Sequence, residues 1–313
     1  MATLEELARQ PDPGAREEED GGGKQQLMDP EKLYKLWERQ HWQSQEIDFS
    51  KDKEDWEGLS EDQQNELIWL LSSNYIGEER VTSEFAGLLV AFSDHQEESF
   101  LATQQVDEAR HMQFFDRFYA EVVGFDAPDT AGRLKRGREE MNDSFLKLFD
   151  EVLVDAKNRL IEKPDDIEAK VDFVTTYHMV IEGTLALTAQ NFATKYLEEN
   201  KLLPGFVEGF DNVARDEHRH VAYGTWFLQQ AAEDEKLGKR IQSKLQELLP
   251  IAQGVLVPTG QDPEDFKILD YGSQEITEFA FKSLNRRLKA IGVSLNPEDG
   301  AGDPQGEGSD DDS

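Results

Sequence analysis

The chain contains no cysteine in its 313 residues. Disulfides, thiolate metal sites and cysteine nucleophiles are thereby excluded, so oxygen and nitrogen donors must hold any metal. Basic residues are scarce: 33 Lys and Arg stand against 66 Asp and Glu, a formal net charge of −33. That balance argues against a nucleic-acid partner, whose phosphates need a basic face. It suits a halophilic protein, because at high salt the Debye length shrinks to a few ångströms and self-repulsion is screened. A merely solubilising acidic surface, or an acidic partner-binding face, would give the same composition. No apolar run approaches the roughly 20 residues that cross a bilayer. The N-terminus lacks the basic and apolar regions of a signal peptide, which leaves a soluble, cytoplasmic protein as the expectation.

Alternating β-branched runs are few, and the apolar residues recur instead with helical spacing. The spacing predicts long helices over roughly 61–93, 95–123, 138–161, 166–199, 204–233, 236–253 and 274–291, with a shorter one near 31–41. Ser60, Ser93 or Asp94, and Pro164 stand where helices should start, and Gly124, Pro250 and Gly292 where they should stop. Residues 1–30 and 295–313 are rich in Gly, Pro and acid, the composition of disordered segments. Between them, 31–294 reads as one all-α bundle with a single core.

Two stretches break the apolar pattern. DEARHMQFFDRF places Glu108 and His111 on the stripe of Leu101, Phe115, Phe118 and Val122. ARDEHRHVAYGTWF places Glu217 and His220 with Phe206, Phe210, Val213 and Phe227. Charged groups in a core need a partner or a metal. A single Glu-x-x-His means little, and Glu38 with His41 matches it among polar neighbours. Two core-facing pairs are the pattern of a bundle-core dimetal carboxylate site, which takes one further glutamate from each of two other helices. Glu182 is the sole acid in the apolar stretch VTTYHMVIEGTLALTAQNF. Glu78 shares a stripe with Leu67, Leu71, Val81, Phe85, Leu88 and Phe92, while Glu79 lies on a less apolar one. Periodicity favours Glu78 and leaves Glu79 open; the predicted ligands are Glu78, Glu108, His111, Glu182, Glu217 and His220, a set that accepts Mn and Fe alike.

In this order the motifs EERV, DEARH, VIEG and RDEHRH resemble the small (R2) subunit of class I ribonucleotide reductase and its relatives in the ferritin-like superfamily. The resemblance runs from about residue 31 to 290. It implies a ferritin-like helical bundle of the R2 type. Glu78 stands where reductase subunits commonly have Asp. Trp42 matches that superfamily's buried tryptophan, and Asp216 the acid that hydrogen-bonds a ligand histidine. The radical tyrosine of the usual subunit is here Phe115, and no apolar anchor follows Leu295 for docking a large reductase subunit. Val81, three residues after Glu78, and Tyr177, five before Glu182, look like the R2-like ligand-binding oxidases. That resemblance implies an Mn/Fe cofactor (di-iron being the other option), O2 activation and a Val81–Tyr177 ether cross-link. It also implies a long-chain fatty acid at the metals, and a homodimer.

On a regular helix His178, not Tyr177, would share the face of Glu182. A π-bulge would bring the five-residue partner round, and the resemblance favours Tyr177. The rival readings are a class I reductase small subunit without a tyrosyl radical, and a non-enzymatic metal or fatty-acid binding protein.

Overall fold

The computed structural model describes residues 27–92, 94–125 and 127–295. The expected disordered ends fall almost wholly outside these residues. Within them the chain forms α1 (Pro30–Arg39), α2 (Ser50–Gly58), α3 (Glu61–Glu84), α4 (Ala86–Ala91), α5 (His95–Phe118) and α6 (Thr130–Arg138). There follow α7 (Asp143–Leu146), α8 (Leu153–Glu162), α9 (Ile167–Val174), α10 (Leu187–Asn200), α11 (Pro204–Ala231), α12 (Glu235–Val255) and α13 (Ser273–Ile291). π-helical segments at Lys147–Val152 and Thr175–Ala186 join α7 to α8 and α9 to α10; a third, Tyr119–Val123, ends α5. This is the all-α, ferritin-like architecture expected. α3 packs against α5, and α11 against the π segment Thr175–Ala186, while α12 and α13 cover that segment from outside.

Side chains answer the free N–H groups at most helix starts. Ser60 caps α3 in a reciprocal box with Gln63, and Asp94 caps α5. Gly124 and Gly292 end helices in the left-handed conformation. Four expectations need correction. The helix predicted over 61–93 breaks at Phe85, where Gly87 brings α4 against the backbone of Lys157. The helix predicted from 138 starts at Asp143, because Asn142 caps it by accepting from Phe145 N. Asp166, not Pro164, caps α9. Pro250 lies inside α12 instead of ending it; it faces solvent, which can take up the freed carbonyl, while Leu248, Ala252 and Val255 are buried around it. A two-residue antiparallel pair, Lys267–Ile268 with Tyr271–Gly272, went unpredicted, being too short for any period to register.

α11, which carries RDEHRH, begins after Leu203 in the left-handed region and has no cap of its own. A remote cap replaces it. Asp52 of α2, fully buried, accepts from Gly205 N (2.8 Å) and Phe206 N (2.7 Å), and Asp55 accepts from Leu203 N. Gly205 is required there, since a Cβ would lie 2.2 Å from the Asp48 carbonyl oxygen. Replacing Asp52 by Ala leaves two buried N–H groups unanswered, at a cost of about 2 kcal/mol. A lowered urea midpoint, with Asp52→Asn intermediate between the two, is the expected outcome.

Candidate metal centre

Each of the six predicted ligand side chains is buried, and the bundle brings all of them together. Glu78, Glu108, His111 and Glu217 offer one donor atom each within 4.8 Å of one another, and so do Glu108, Glu182, Glu217 and His220. Glu108 and Glu217 belong to both groups, which gives two adjacent positions with two shared carboxylates. His111 Nδ1 lies 3.4 Å from Glu78, 3.7 Å from Glu108 and 3.3 Å from Glu217. His220 Nδ1 lies 3.2 Å from Glu108, 3.3 Å from Glu182 and 3.8 Å from Glu217. Glu38 and His41 are exposed and stand apart, and Glu79 is engaged by Ser83 at its own helix surface.

This donor set fits two divalent cations. Four carboxylates balance four positive charges. Glu78 Oε2, Glu182 Oε2, Glu217 Oε2 and both histidine Nδ1 atoms are buried with no hydrogen-bond partner, the condition a metal ligand leaves behind when no ion is present. Both imidazoles turn their other nitrogen outward. His111 Nε2 meets Asp216 Oδ2 at 3.2 Å, which also accepts from Trp42 Nε1 at 2.7 Å. His220 Nε2 meets Asp107 Oδ2 at 3.2 Å, and Trp37 Nε1 donates to Asp107 Oδ1 at 2.9 Å. Such outer carboxylates fix the tautomer so that Nδ1 is the free donor. Arg219 joins the two aspartates, donating to Asp107 at 2.9 Å and Asp216 at 2.5 Å.

The aspartate beside the last carboxylate ligand was anticipated; Asp107 was not. Its signal was present, because Asp-Glu-x-x-His occurs in both stretches. Each aspartate serves the histidine of the opposite helix, so the repeat becomes meaningful only when α5 and α11 face each other.

Phe115 is fully buried among Phe114, Phe206 and Phe210, so no hydroxyl occupies that position. Tyr177 and His178 both lie on the π segment, as the five-residue spacing to Glu182 required. Tyr177 donates to Glu108 Oε1 at 2.7 Å. His178 bonds Gln104, whose role the sequence had not disclosed.

The proton affinities follow from crowding. Burial, only partly opposed by His111, pushes Glu78 up to about 8. Burial and the neighbouring Glu217 raise Glu182 well above the carboxylate range. For His111, burial works downward, but Glu78 and Asp216 outweigh it and raise the imidazole well above its usual value. Glu108 and Asp107 do the same for His220. Groups that hold protons in the metal-free protein must release them to a metal. Metal affinity is therefore expected to rise with pH through about 8, where Glu78 ionises. Proton release on Mn(II) addition, followed with an indicator dye in weak buffer, checks this. Asp107→Asn removes the charged acceptor from His220 and is expected to weaken one of two metal equivalents by roughly 10-fold or more, measured by competition with a chelator.

A family model described as ribonucleotide reductase, small chain, matches residues 26–295. Among solved structures, a glycine-to-phenylalanine variant of an R2-like ligand-binding oxidase, with anaerobically reconstituted Mn/Fe cofactor, is 27% identical. It covers 86% of this chain and 95% of its own, with a TM-score of 0.71. A tyrosine-to-phenylalanine variant with aerobically reconstituted Mn/Fe cofactor is also 27% identical, covers 86% and 94%, and has a TM-score of 0.73. A valine-to-isoleucine variant, again with Mn/Fe, reaches 0.74 at the same identity and coverage. The buried glutamates and histidines described above match the kind of cofactor those structures carry. The chain belongs to the ribonucleotide reductase small-chain family, and it is similar in sequence and fold to R2-like ligand-binding oxidases.

Proposed function

We propose that this protein is an oxidase in which a dinuclear Mn/Fe centre and O2 oxidise a C–H bond, with a long-chain fatty acid bound beside the metals. Glu78, Glu108, His111, Glu182, Glu217 and His220 would hold the metals. When bound, the metals supply the O2 chemistry that amino-acid side chains lack. The observation that carries the reading is an apolar cavity whose inner end is the metal site. Leu70, Val81, Phe145, Phe149, Phe192 and Leu256 are among its walls, and Glu78, Glu108, Glu182 and Glu217 face into it.

Such a cavity suits an amphiphile with one anionic end. The acyl chain would bury apolar surface against these walls, and the carboxylate would lie with the cations. The walls also keep water from the reacting atoms. Tyr177 has its hydroxyl hydrogen-bonded to Glu108, and Val81 lines the cavity three residues after Glu78. The proposed ether bond forms between the Val81 side chain and the Tyr177 oxygen. One hydrogen leaves each residue, and the two electrons and two protons released reduce O2 to the level of hydrogen peroxide. Glu108 is placed to accept the phenolic proton.

A second reading, a reductase small subunit without a tyrosyl radical, is favoured by the Trp42–Asp216–His111 hydrogen-bonded line, which runs from Trp42 to a ligand histidine. One experiment separates the two. After aerobic loading with Mn and Fe, peptide mass spectrometry is expected to find the Val81 and Tyr177 peptides joined with loss of two hydrogens. Tyr177→Phe abolishes the product. Unlinked peptides at full metal occupancy, with nucleotide reduction supported by an added large subunit, would favour the second reading.

A further inference from the structure

Gln104 on α5 is fully buried and is not among the six ligands. Its Nε2 lies 3.0 Å from Glu182 Oε1 and 3.3 Å from Glu108 Oε1. Carboxylates that hold a metal are ionised and only accept, so with metal bound the amide must present its NH2 to them. Its oxygen is then left facing His178 Nε2 at 3.2 Å, and that nitrogen must carry the proton. The other nitrogen, Nδ1, is buried without a partner, which agrees with this tautomer. Burial, reinforced by the neighbouring His220, holds His178 down to about 3, so the ring is neutral. The fold has made room for it: a Cβ on Gly224 would lie 2.2 Å from His178 Cβ.

The consequence is a difference between the two metal positions. Glu182, which belongs to the His220 position alone, receives a donor from Gln104; Glu108, shared by both positions, receives donors from Gln104 and Tyr177. Glu78, which belongs to the other position alone, and Glu182 each keep an unpartnered Oε2, so the two differ in the Gln104 donor that Glu182 Oε1 receives. Pinned carboxylates hold one geometry, whereas an unpinned one can shift between one- and two-oxygen binding. Divalent metals of this row are sorted by geometry more than by raw affinity.

We propose that Gln104, locked in orientation by His178, is a positioning residue that makes the His220-side position the rigid, metal-discriminating one, while the Glu78 side remains adaptable. The inference rests on the dinuclear site proposed above. It concerns the division of labour within that site, not its existence.

The test is to load the full-length protein with equal Mn(II) and Fe(II) under anaerobic conditions. Occupancy at each position is then read from anomalous scattering at the Mn and Fe edges. Gln104→Leu removes the donor, and His178→Phe removes the lock while filling the same space. Both are expected to change the Mn-to-Fe ratio at the His220-side position by about fivefold or more, within the range seen for outer hydrogen bonds at metal sites. The Glu78-side ratio should stay within about twofold of wild type. His178→Gln, whose amide can again donate to Gln104, is expected to restore the wild-type distribution, a recovery that general loosening of the core would not give. Both positions filled in wild-type proportions in the two disabling variants, or equal changes at both positions, would overturn the inference and leave the dinuclear site standing. A wild-type protein that binds fewer than two metals would instead overturn the site itself, and this inference with it.

Discussion

Four carboxylates sharing one buried site is the condition around which this molecule is organised. Isolated buried charge costs several kcal/mol per group even after relaxation, and Glu78, Glu108, Glu182 and Glu217 are all within reach of one another. Protons can neutralise part of that charge, and the raised affinities of His111, His220, Glu78 and Glu182 show where they would sit. Two divalent cations neutralise all of it. Around them the charge alternates by layer: carboxylates and imidazoles, then Asp107 and Asp216, then Arg219 across both aspartates, with Arg110 also paired to Asp107. For Asp216, burial works upward, yet His111, Arg219 and Trp42 hold it well below the usual carboxylate range. Each layer is stable only because the next one is present.

Holding those layers in register falls to backbone features that an ideal helix would not supply. The π segment Thr175–Ala186 changes which residues share a face, so Tyr177 reaches Glu108 while Glu182 reaches His220. Its widened turn is stabilised in part by Thr184, whose hydroxyl donates to the carbonyl of Met179 five residues earlier. α12 and α13 press on it from outside, and Arg287 reaches in from α13 to donate to the Gly183 carbonyl at 2.7 Å. At the other end of the site, α11 owes its starting point to Asp52 on a short helix far away in sequence. These supports set the phase of the ligand-bearing helices.

Helical periodicity favoured Glu78 over Glu79 without excluding the latter, because the neighbouring stripe is less apolar, and it placed both Glu-x-x-His pairs inward. It failed where the determining contact is distant in sequence. Periodicity alone favoured His178 over Tyr177, since a regular helix is the default and only packing by α12 and α13 makes the π turn worthwhile. Pro250 reads as a terminator because its cost of about 3 kcal/mol is local; the buried face that offsets it is spread over Leu248, Ala252 and Val255. Gln104 carries no local mark at all. A glutamine on a helix is ordinarily a solvated residue, and this one becomes informative only when its two partners arrive from the π segment.

The pair of Asp-Glu-x-x-His motifs gives the centre an approximate two-fold character, with each aspartate crossing to the histidine of the other helix. The remaining carboxylates break it. Glu78 comes from α3 beside the apolar cavity, on the same helix as Val81. Glu182 comes from the π segment and is tied to Gln104. The inner ligands are near-symmetric, and Glu108 and Glu217 are within reach of both positions that would hold a cation. Asymmetry in the outer contacts gives the two cations different surroundings. A centre built from four equivalent helices would have no means of telling two similar metals apart, because selectivity among first-row ions needs geometry to differ. In this chain the difference originates in one amide and one neutral imidazole, neither of which belongs to the ligand set.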